Sequence, residues 1–269
     1  MAAAALRYNA PMRYAEELRA TLPAGGFGEV LYAYESIGST NSRAAELAMD
    51  GAVEGTLVVA DHQTHGRGRG GRHWYTPSGS AVAMSLILRP AAASGLRWTG
   101  LGALAVAEAL KGEGLPAQIK WPNDVLIEGG KAAGVLVEVA WEGNRPLYLI
   151  LGIGINVGAD SLRQMGSLSF PAKAVEAQVR RMVSRTQLIA SVLRSLETWY
   201  PRVGTEAFLN AWEGTLAFKG GRVQVETGHR LLEGMLVGLG RDGEARIELD
   251  SGEEVFAGGE ARNLRLSRG

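Results

Sequence analysis

Hydrophobic and polar positions divide the first half of the chain into short apolar runs and segments with helical spacing. Short apolar runs bounded by turn residues are typical of buried strands, and apolar residues at helical spacing are typical of amphipathic helices. We predict helices over 42–49 and 97–111, and strands over 30–34, 56–60 and 81–88. The alternation predicts a region that contains both strands and helices.

Residues 118–157 consist of apolar runs separated by turns, and they predict four strands: 118–121, 125–127, 132–141 and 147–157. Strands joined by short turns pair antiparallel, so we expect an antiparallel meander. The last strand is interrupted by Gly152 and Gly154. Glycine inside a strand marks a bulge or the close approach of a ligand, and here we expect a bulge.

The C-terminal part changes pattern twice. It is helical from 171 to 213 and then becomes a series of short strands with glycine turns: 222–226, 231–239, 245–249 and 254–257. Such a series predicts a small SH3-like barrel. We therefore divide the chain into an N-terminal extension (1–28) with one short helix around 12–21, a main domain (29–216) and a barrel domain (217–269).

Composition removes several classes of function. Lys plus Arg and Asp plus Glu balance at 28 each, which argues against a broad nucleic-acid surface. The chain has no cysteine, so disulfides, thiolate catalysis and cysteine metal sites are excluded. No apolar run is long enough to span a membrane, and the N-terminus does not look like a secretory signal. These features predict a cytoplasmic protein with no DNA or membrane partner.

The most unusual stretch of the chain is Gly66-Arg67-Gly68-Arg69-Gly70-Gly71-Arg72-His73-Trp74, which follows Gln63. Glycines let the backbone approach a ligand closely, and guanidinium groups match carboxylate and phosphate oxygens, so the stretch predicts an anion-binding loop. A dinucleotide-binding turn needs a helix directly afterwards, but 75–79 is a helix-breaking segment, so this motif is excluded. A Walker loop needs Lys-Ser or Lys-Thr after its last glycine, but here Arg72 and His73 follow, so this motif is excluded too. An RGG-type RNA segment stays open, although the stretch is single, short and placed between two predicted strands.

Ser39, Thr40 and Asn41 precede the helix predicted over 42–49. These residue types are the ones preferred at helix N-caps, so taken alone the triplet predicts a cap. The sequence contains no thiol, metal cluster or Ser-His-Asp signature, which favours a reaction that needs charge neutralisation and alignment.

Five segments in this order resemble the biotin protein ligases: Ser39-Thr40-Asn41; Gln63 with Gly66 to Trp74; Lys120-Trp121-Pro122-Asn123-Asp124; Ala133-Gly134-Val135-Leu136-Val137-Glu138; and Gly152-Ile153-Gly154-Ile155-Asn156. The resemblance implies an α/β fold, with a mixed sheet flanked by helices as in class II aminoacyl-tRNA synthetases, plus the small C-terminal barrel. It also implies that ATP and Mg²⁺ activate biotin as biotinyl-5′-AMP. The biotinyl group would then pass to a lysine of a biotin carboxyl carrier protein.

The resemblance further implies a role for each matching residue. Catalysis would fall to Lys120, Arg67 and Arg69. Biotin would be bound by Ser39, Thr40, Asn41, Gln63, Gly66, Arg67, Gly68, Arg69, Lys120, Gly134, Gly152 and Gly154. ATP and the adenylate would be bound by Arg69, Arg72, Trp74 and Asn156, with either Arg262 or Arg265 as a further arginine. Asp124 would hold Mg²⁺ or orient Lys120, and both roles stay open.

Two other functions share parts of this pattern. A lipoate or octanoate protein ligase would have the same catalytic fold, but the polar Ser39, Thr40 and Gln63 favour a ureido group over a long acyl chain. A non-enzymatic biotin-sensing protein would use the same pocket without Lys120 chemistry. The sequence shows no N-terminal winged helix like that of repressor-type relatives, so we expect a monofunctional ligase. We also expect a homodimer formed through the sheet edge near 132–157.

Overall fold

Eight strands form one mixed sheet in the order β1-β2-β3-β4-β8-β7-β6-β5. The computed structural model describes residues 7–9, 12–90, 95–163, 171–227, 230–258 and 262–266. For 7–9, 12–13 and 262–263 it describes the backbone only. The strands are β1 (Arg7–Asn9), β2 (Leu31–Ile37), β3 (Leu57–Gln63), β4 (Ala81–Leu88), β5 (Ala117–Lys120), β6 (Asp124–Ile127), β7 (Gly130–Glu142) and β8 (Arg145–Asn156).

Connection length decides strand direction in this sheet. A helix connects β2 to β3, and a crossover of this kind brings the two strands parallel. Strand β1 also pairs parallel with β2, whereas every pair from β3 to β5 across the sheet is antiparallel. The four strands of the predicted meander are therefore confirmed.

The α-helices of the described ranges are α1 (Met12–Thr21), α2 (Thr40–Met49), α3 (Gly95–Gly112), α4 (Val175–Val179), α5 (Arg185–Trp199) and α6 (Glu206–Glu213). Helices α3 and α5 belong to the large hydrophobic core on one face, while α2 packs Ala44, Leu47 and Ala48 against the other face. Strand β4 is consequently buried along its whole length. None of the helices in the described ranges combines the length and apolar character needed to cross a bilayer.

A second, smaller sheet follows α6 and is antiparallel throughout. It contains β9 (Arg222–Thr227), β10 (Arg230–Leu239), β11 (Ala245–Glu248), β12 (Glu254–Ala257) and β13 (Arg262–Leu266), in the order β12-β11-β10-β9-β13. The four predicted strands are present, and β13 is an additional one. Trp121 Nε1 donates a hydrogen bond to the Gly243 carbonyl at 2.9 Å, which joins this sheet to the main one.

The structure changes three expectations about local geometry. Helix α2 begins at Thr40, so Thr40 and Asn41 lie within its first turn, and Ser39 at the N-cap position makes no side-chain capping bond. The cap interpretation of the triplet is therefore wrong for its side chains. The prediction of a bulge at Gly152 and Gly154 is also wrong, because β8 keeps regular register with β4 and β7 through both glycines.

The third difference concerns the sheet edge expected near 132–157. Strand β8 is an interior strand, paired with β4 on one side and with β7 on the other. Strand β7 pairs with β6 through 130–134 and then continues past it. Within the described residues, only the part of β7 beyond its pairing with β6 fits the expected sheet edge. The homodimer stays a prediction.

Candidate active site

A cavity of about 410 Å³ opens between the glycine–arginine loop (66–74) and the main sheet. This volume suits a small-molecule ligand. The residues predicted to bind a ligand line it except Gly66 and Asn156: Ser39, Thr40, Asn41, Gln63, Arg67, Gly68, Arg69, Arg72, Trp74, Lys120, Asp124, Gly134, Gly152 and Gly154. Segments far apart in sequence therefore meet at one place.

One part of the cavity wall is uncharged and fully hydrogen-bonded. Gln63 Oε1 accepts from the Thr40 backbone N–H at 2.9 Å and lies 3.1 Å from Thr40 Oγ1, while its Nε2 donates to Thr76 Oγ1 at 2.9 Å. Both Thr40 and Gln63 are buried. Buried amides that are paired in this way hold a fixed orientation. Gln63 therefore shapes the wall, and its direct contact with a ligand stays a prediction.

Asn41 is held at both ends of its side-chain amide. Its Oδ1 lies 2.6 Å from Ser85 Oγ, and its Nδ2 donates to Glu138 Oε2 at 2.7 Å. Ser85 also contacts Thr40 Oγ1 at 2.8 Å. Sequence reasoning missed Ser85, although a single serine inside the apolar run 81–88 was the available signal.

The two glycines of β8 make room for side chains of the protein itself. A Cβ at Gly152 would overlap Asn41 Oδ1 and lie 2.8 Å from its Cγ. A Cβ at Gly154 would overlap the Trp74 indole and lie 2.8 Å from its Cζ2. Real Cβ atoms do not approach other atoms this closely, so these positions must lack one. A Cβ at Gly134 on β7 would also meet the indole, at 3.2 Å from Cζ3.

The glycine–arginine loop folds back on itself as a small hairpin. The Trp74 N–H donates to the Gly66 carbonyl at 2.8 Å, and the Gly68 N–H donates to the Arg72 carbonyl at 2.7 Å. Gly70 and Gly71 take positive φ angles of 67° and 74°, which glycine adopts without strain. Gly66 lies outside the cavity wall, and its lack of a side chain lets the Trp74 carbonyl approach.

Charged groups gather beside this uncharged wall. The Asp124 carboxylate lies 2.5 Å from Lys131 Nζ and 3.5 Å from Lys120 Nζ. Burial lowers the pKa of Lys120, and the neighbouring Asp124 carboxylate opposes that shift. Burial alone would raise the pKa of Asp124, but the ammonium groups of Lys131 and Lys120 outweigh it and the pKa is lowered. Both lysines therefore face a carboxylate that stays ionised.

Lys131 is the second residue that sequence reasoning missed. It lines the cavity, pairs with Asp124, and its Nζ lies 5.4 Å from the centre of the Trp74 ring. A cation over an indole face is a favourable contact. The available signal was a lone lysine at the start of the apolar strand that carries Gly134.

The two roles left open for Asp124 differ in their fit to the structure. The described residues contain no group of three His, Cys, Asp or Glu side chains that could hold a metal ion. Mg²⁺ prefers oxygen ligands in octahedral geometry, and a carboxylate already paired with two ammonium groups is a poor single ligand. The contacts of Asp124 therefore favour orientation of Lys120.

Two predicted nucleotide contacts are placed differently from the rest. Asn156 is fully buried, donates to the Lys131 carbonyl at 3.3 Å and does not line the cavity, and its contact with the adenylate stays a prediction. Arg265 on β13 does line the cavity. The side chain of Arg262 lies outside the described part of the chain.

Comparisons with known proteins agree with this site. Residues 33–156 match the model of the biotin/lipoate A/B protein ligase family. The bifunctional ligase/repressor BirA of Bacillus subtilis is 34% identical over 242 residues, which cover 88% of this chain and 74% of the relative. The biotin–[acetyl-CoA-carboxylase] ligase of Paracoccus denitrificans is 31% identical over 231 residues, covering 82% of this chain and 95% of the relative.

Solved structures give the same result. The biotin protein ligase from Aquifex aeolicus in complex with biotin and ATP superposes with a TM-score of 0.74 at 30% identity, covering 88% of this chain and 99% of the other. The mixed α/β fold is therefore confirmed, together with the resemblance drawn from the five segments. The chain belongs to the biotin protein ligase family.

Proposed function

We propose that this protein activates biotin with ATP as biotinyl-5′-AMP and transfers the biotinyl group to a lysine of a biotin carboxyl carrier protein. The observation that carries the proposal is the division of the cavity into two parts. An uncharged hydrogen-bonding wall around Thr40, Asn41 and Gln63 suits a neutral ureido group, and the adjoining cluster of Arg and Lys side chains suits a carboxylate and phosphates. Relatives and solved structures named for biotin and ATP support the same ligands.

The first step brings two anions together. A biotin carboxylate oxygen attacks the α-phosphorus of ATP, a new P–O bond forms, and the bond to the β-phosphate oxygen breaks to release pyrophosphate. The protein need not supply a nucleophile, so its contribution is alignment and neutralisation of charge. We assign neutralisation to Lys120 and Lys131, because both line the cavity and their two positive charges exceed the single negative charge of the Asp124 carboxylate between them.

Loop residues complete this site. Arg67, Arg69 and Arg72 line the cavity from the loop side, where they can contact the carboxylate, the phosphates and later the adenylate. The Trp74 indole, which packs over Gly154, offers a flat surface for adenine. We assign the C-terminal contact with ATP to Arg265, because it lines the cavity. The described residues build no cage for Mg²⁺, so we assign the ion no step.

In the second step the neutral amine of a carrier lysine attacks the acyl carbon of the mixed anhydride. A C–N bond forms, the C–O bond to AMP breaks, and the amine loses a proton. The positive groups that stabilised the first transition state also stabilise the departing AMP phosphate. The partner we propose is a biotin carboxyl carrier domain.

Biotin-dependent release of pyrophosphate from ATP tests the proposal. We expect release with biotin and none with lipoate or octanoate, and a fall of about 10²–10³-fold in kcat for Lys120→Ala, the range measured when one transition-state charge contact is removed. Lys111→Ala is the matched control, because Lys111 is an exposed lysine at the end of α3 and lies outside the cavity. Release with the fatty acids alone would move the chain to the lipoate branch of the family. No release with any of these acids would leave a binding protein.

A further inference from the structure

Glu138 connects the sheet to the glycine–arginine loop, and the reaction described above gives it no role. Its Oε2 accepts one hydrogen bond from Asn41 Nδ2 and another from Arg67 Nη2, each at 2.7 Å. Glu138 does not itself line the cavity, but both of its partners do. Its carboxylate is therefore shared between a residue of the cavity wall and a residue of the loop.

The sheet side of this arrangement is fixed. Glu138 lies in β7, where its backbone is paired with Ile150 of β8. Asn41 is only 5% exposed, and its other end contacts Ser85 of β4. Asn41 and β7 therefore hold the carboxylate in one position.

The loop side is held differently. The bonds from Trp74 to Gly66 and from Gly68 to Arg72 remain inside the loop, so they give the hairpin its shape without attaching it to the sheet. The Trp74 indole attaches the C-terminal end of the loop by packing against Gly154 of β8. The Arg67 guanidinium crosses from the loop to β7 through its pair with Glu138. Of the two charged partners, Arg67 is the one that moves with the loop.

We propose that Glu138 is a positioning residue that holds Arg67, and with it the glycine–arginine loop, over the cavity before an anionic ligand binds. The pair uses Nη2 of Arg67, and within the described part of the chain this guanidinium makes no other side-chain hydrogen bond or ion pair. Nη1 and Nε therefore remain for a carboxylate or phosphate. The inference rests on the proposed function only in taking the ligand to be an anion.

The exposure of the pair sets the size of the effect. The Arg67 and Glu138 side chains are 43% and 36% exposed, so water screens their attraction. An exposed ion pair of this kind changes an equilibrium by a factor of about five at most. Glu138 thus favours the position of the loop over the cavity but does not fix the loop there.

The loop contains three arginines, so trypsin reports its attachment without any activity assay. The full chain is digested without ligands, and cleavage after Arg69 and Arg72 is measured by mass spectrometry. We expect Glu138→Gln to raise the rate of this cleavage about three- to fivefold. Gln keeps an acceptor for Asn41 but loses the charge. Glu142→Gln is the matched control, since Glu142 is an exposed glutamate on the same strand. Equal cleavage of wild type and Glu138→Gln would overturn the proposal.

A double-mutant cycle shows whether Glu138 acts through Arg67. In an Arg67→Gln background, Glu138→Gln should cause no further acceleration of cleavage after Arg69 and Arg72. The same acceleration in that background would mean that Glu138 acts through Asn41 or through general loosening of the fold, and the proposal would be wrong. Glu138→Asp gives a second variant that retains the charge, and it should fall between wild type and Glu138→Gln.

Kinetics then separate positioning from chemistry. We expect Glu138→Gln to raise the KM for biotin by the same factor as the cleavage rate while kcat changes less than about twofold, because prior placement of the loop contributes to binding. A fall in kcat at unchanged KM would contradict a positioning role. A wild type that releases no pyrophosphate would refute the proposed function and leave the trypsin result standing on its own.

Discussion

Replacing Gly152 by alanine tests whether the glycine exists to admit Asn41. The new Cβ would overlap Asn41 Oδ1 and lie 2.8 Å from Cγ and 2.9 Å from Nδ2. The Asn41 side chain would have to move away from β8. Its contacts with Ser85 at 2.6 Å and with Glu138 at 2.7 Å would then lengthen or break.

Two costs add in this variant. Inserting a methyl group into a filled interior typically costs about 1–3 kcal/mol, and each net hydrogen bond lost costs about 1 kcal/mol. Partial relaxation makes these costs overlap, so we expect a loss of about 2–4 kcal/mol in the free energy of unfolding. At roughly 2–4 °C per kcal/mol for a chain of this size, the midpoint of thermal unfolding should fall by about 4–16 °C.

The assay is thermal unfolding together with calorimetric biotin binding, with Gly112→Ala as the control. Gly112 is the last residue of α3, and a Cβ there would meet no atom within 4 Å. We expect the control to unfold and bind like wild type, and Gly152→Ala to bind biotin about tenfold or more weakly because Asn41 shapes the cavity wall. A Gly152→Ala protein with unchanged midpoint and affinity would refute the argument that Asn41 needs this space.

Two further changes test charges that the structure places in contact. Arg185→Met should lower the free energy of unfolding in urea by about 3 kcal/mol, because it leaves the buried Asp61 carboxylate without its ion-pair partner at 2.6 Å. Arg163→Met breaks an exposed pair and should lower it by less than about 0.5 kcal/mol. Similar losses in both variants would refute the claim that the buried pair is the stronger one. The lowered pKa of Asp124 means that its stabilising contribution is complete above the ordinary carboxyl pKa and is lost as the pH falls through the lowered one. The difference in unfolding free energy between wild type and Asp124→Asn should therefore stay constant from about pH 7 to pH 5 and shrink below about pH 4, and a difference independent of pH would contradict the ion pairs.

Local patterns predicted the strands well where the apolar run has sharp ends. Strand β4 was predicted at its observed limits, because an apolar run interrupted only by Ser85 stops before Arg89 and Pro90. Strand β1 has only three residues and pairs with β2 far along the chain, so no local periodicity could predict it. Strand β13 was missed for a similar reason, since its five residues carry two arginines and an asparagine.

Residue types predicted the site only where a residue's role depends on its neighbours in the sequence. Ser39 occupies the N-cap position without a capping bond, and Thr40 and Asn41 do not cap the helix because their partners lie on other strands: Gln63 on β3, Ser85 on β4 and Glu138 on β7. Lys131 looked like an ordinary strand lysine until the fold brought it against Asp124 and Trp74. The resemblance to the family supplied many of the residues that line the cavity, but Lys131 and the contacts between these residues required the structure.

The cavity draws its wall from both sheets, with Ser39 near one end of the sequence and Leu264 and Arg265 on the last strand. During synthesis on a ribosome, the segments that form most of the wall leave the exit tunnel long before β13 does. An incomplete chain therefore presents an open site. The wall is complete only after strand β13 has emerged and joined β9, so the segments that precede β13 cannot enclose a ligand by themselves.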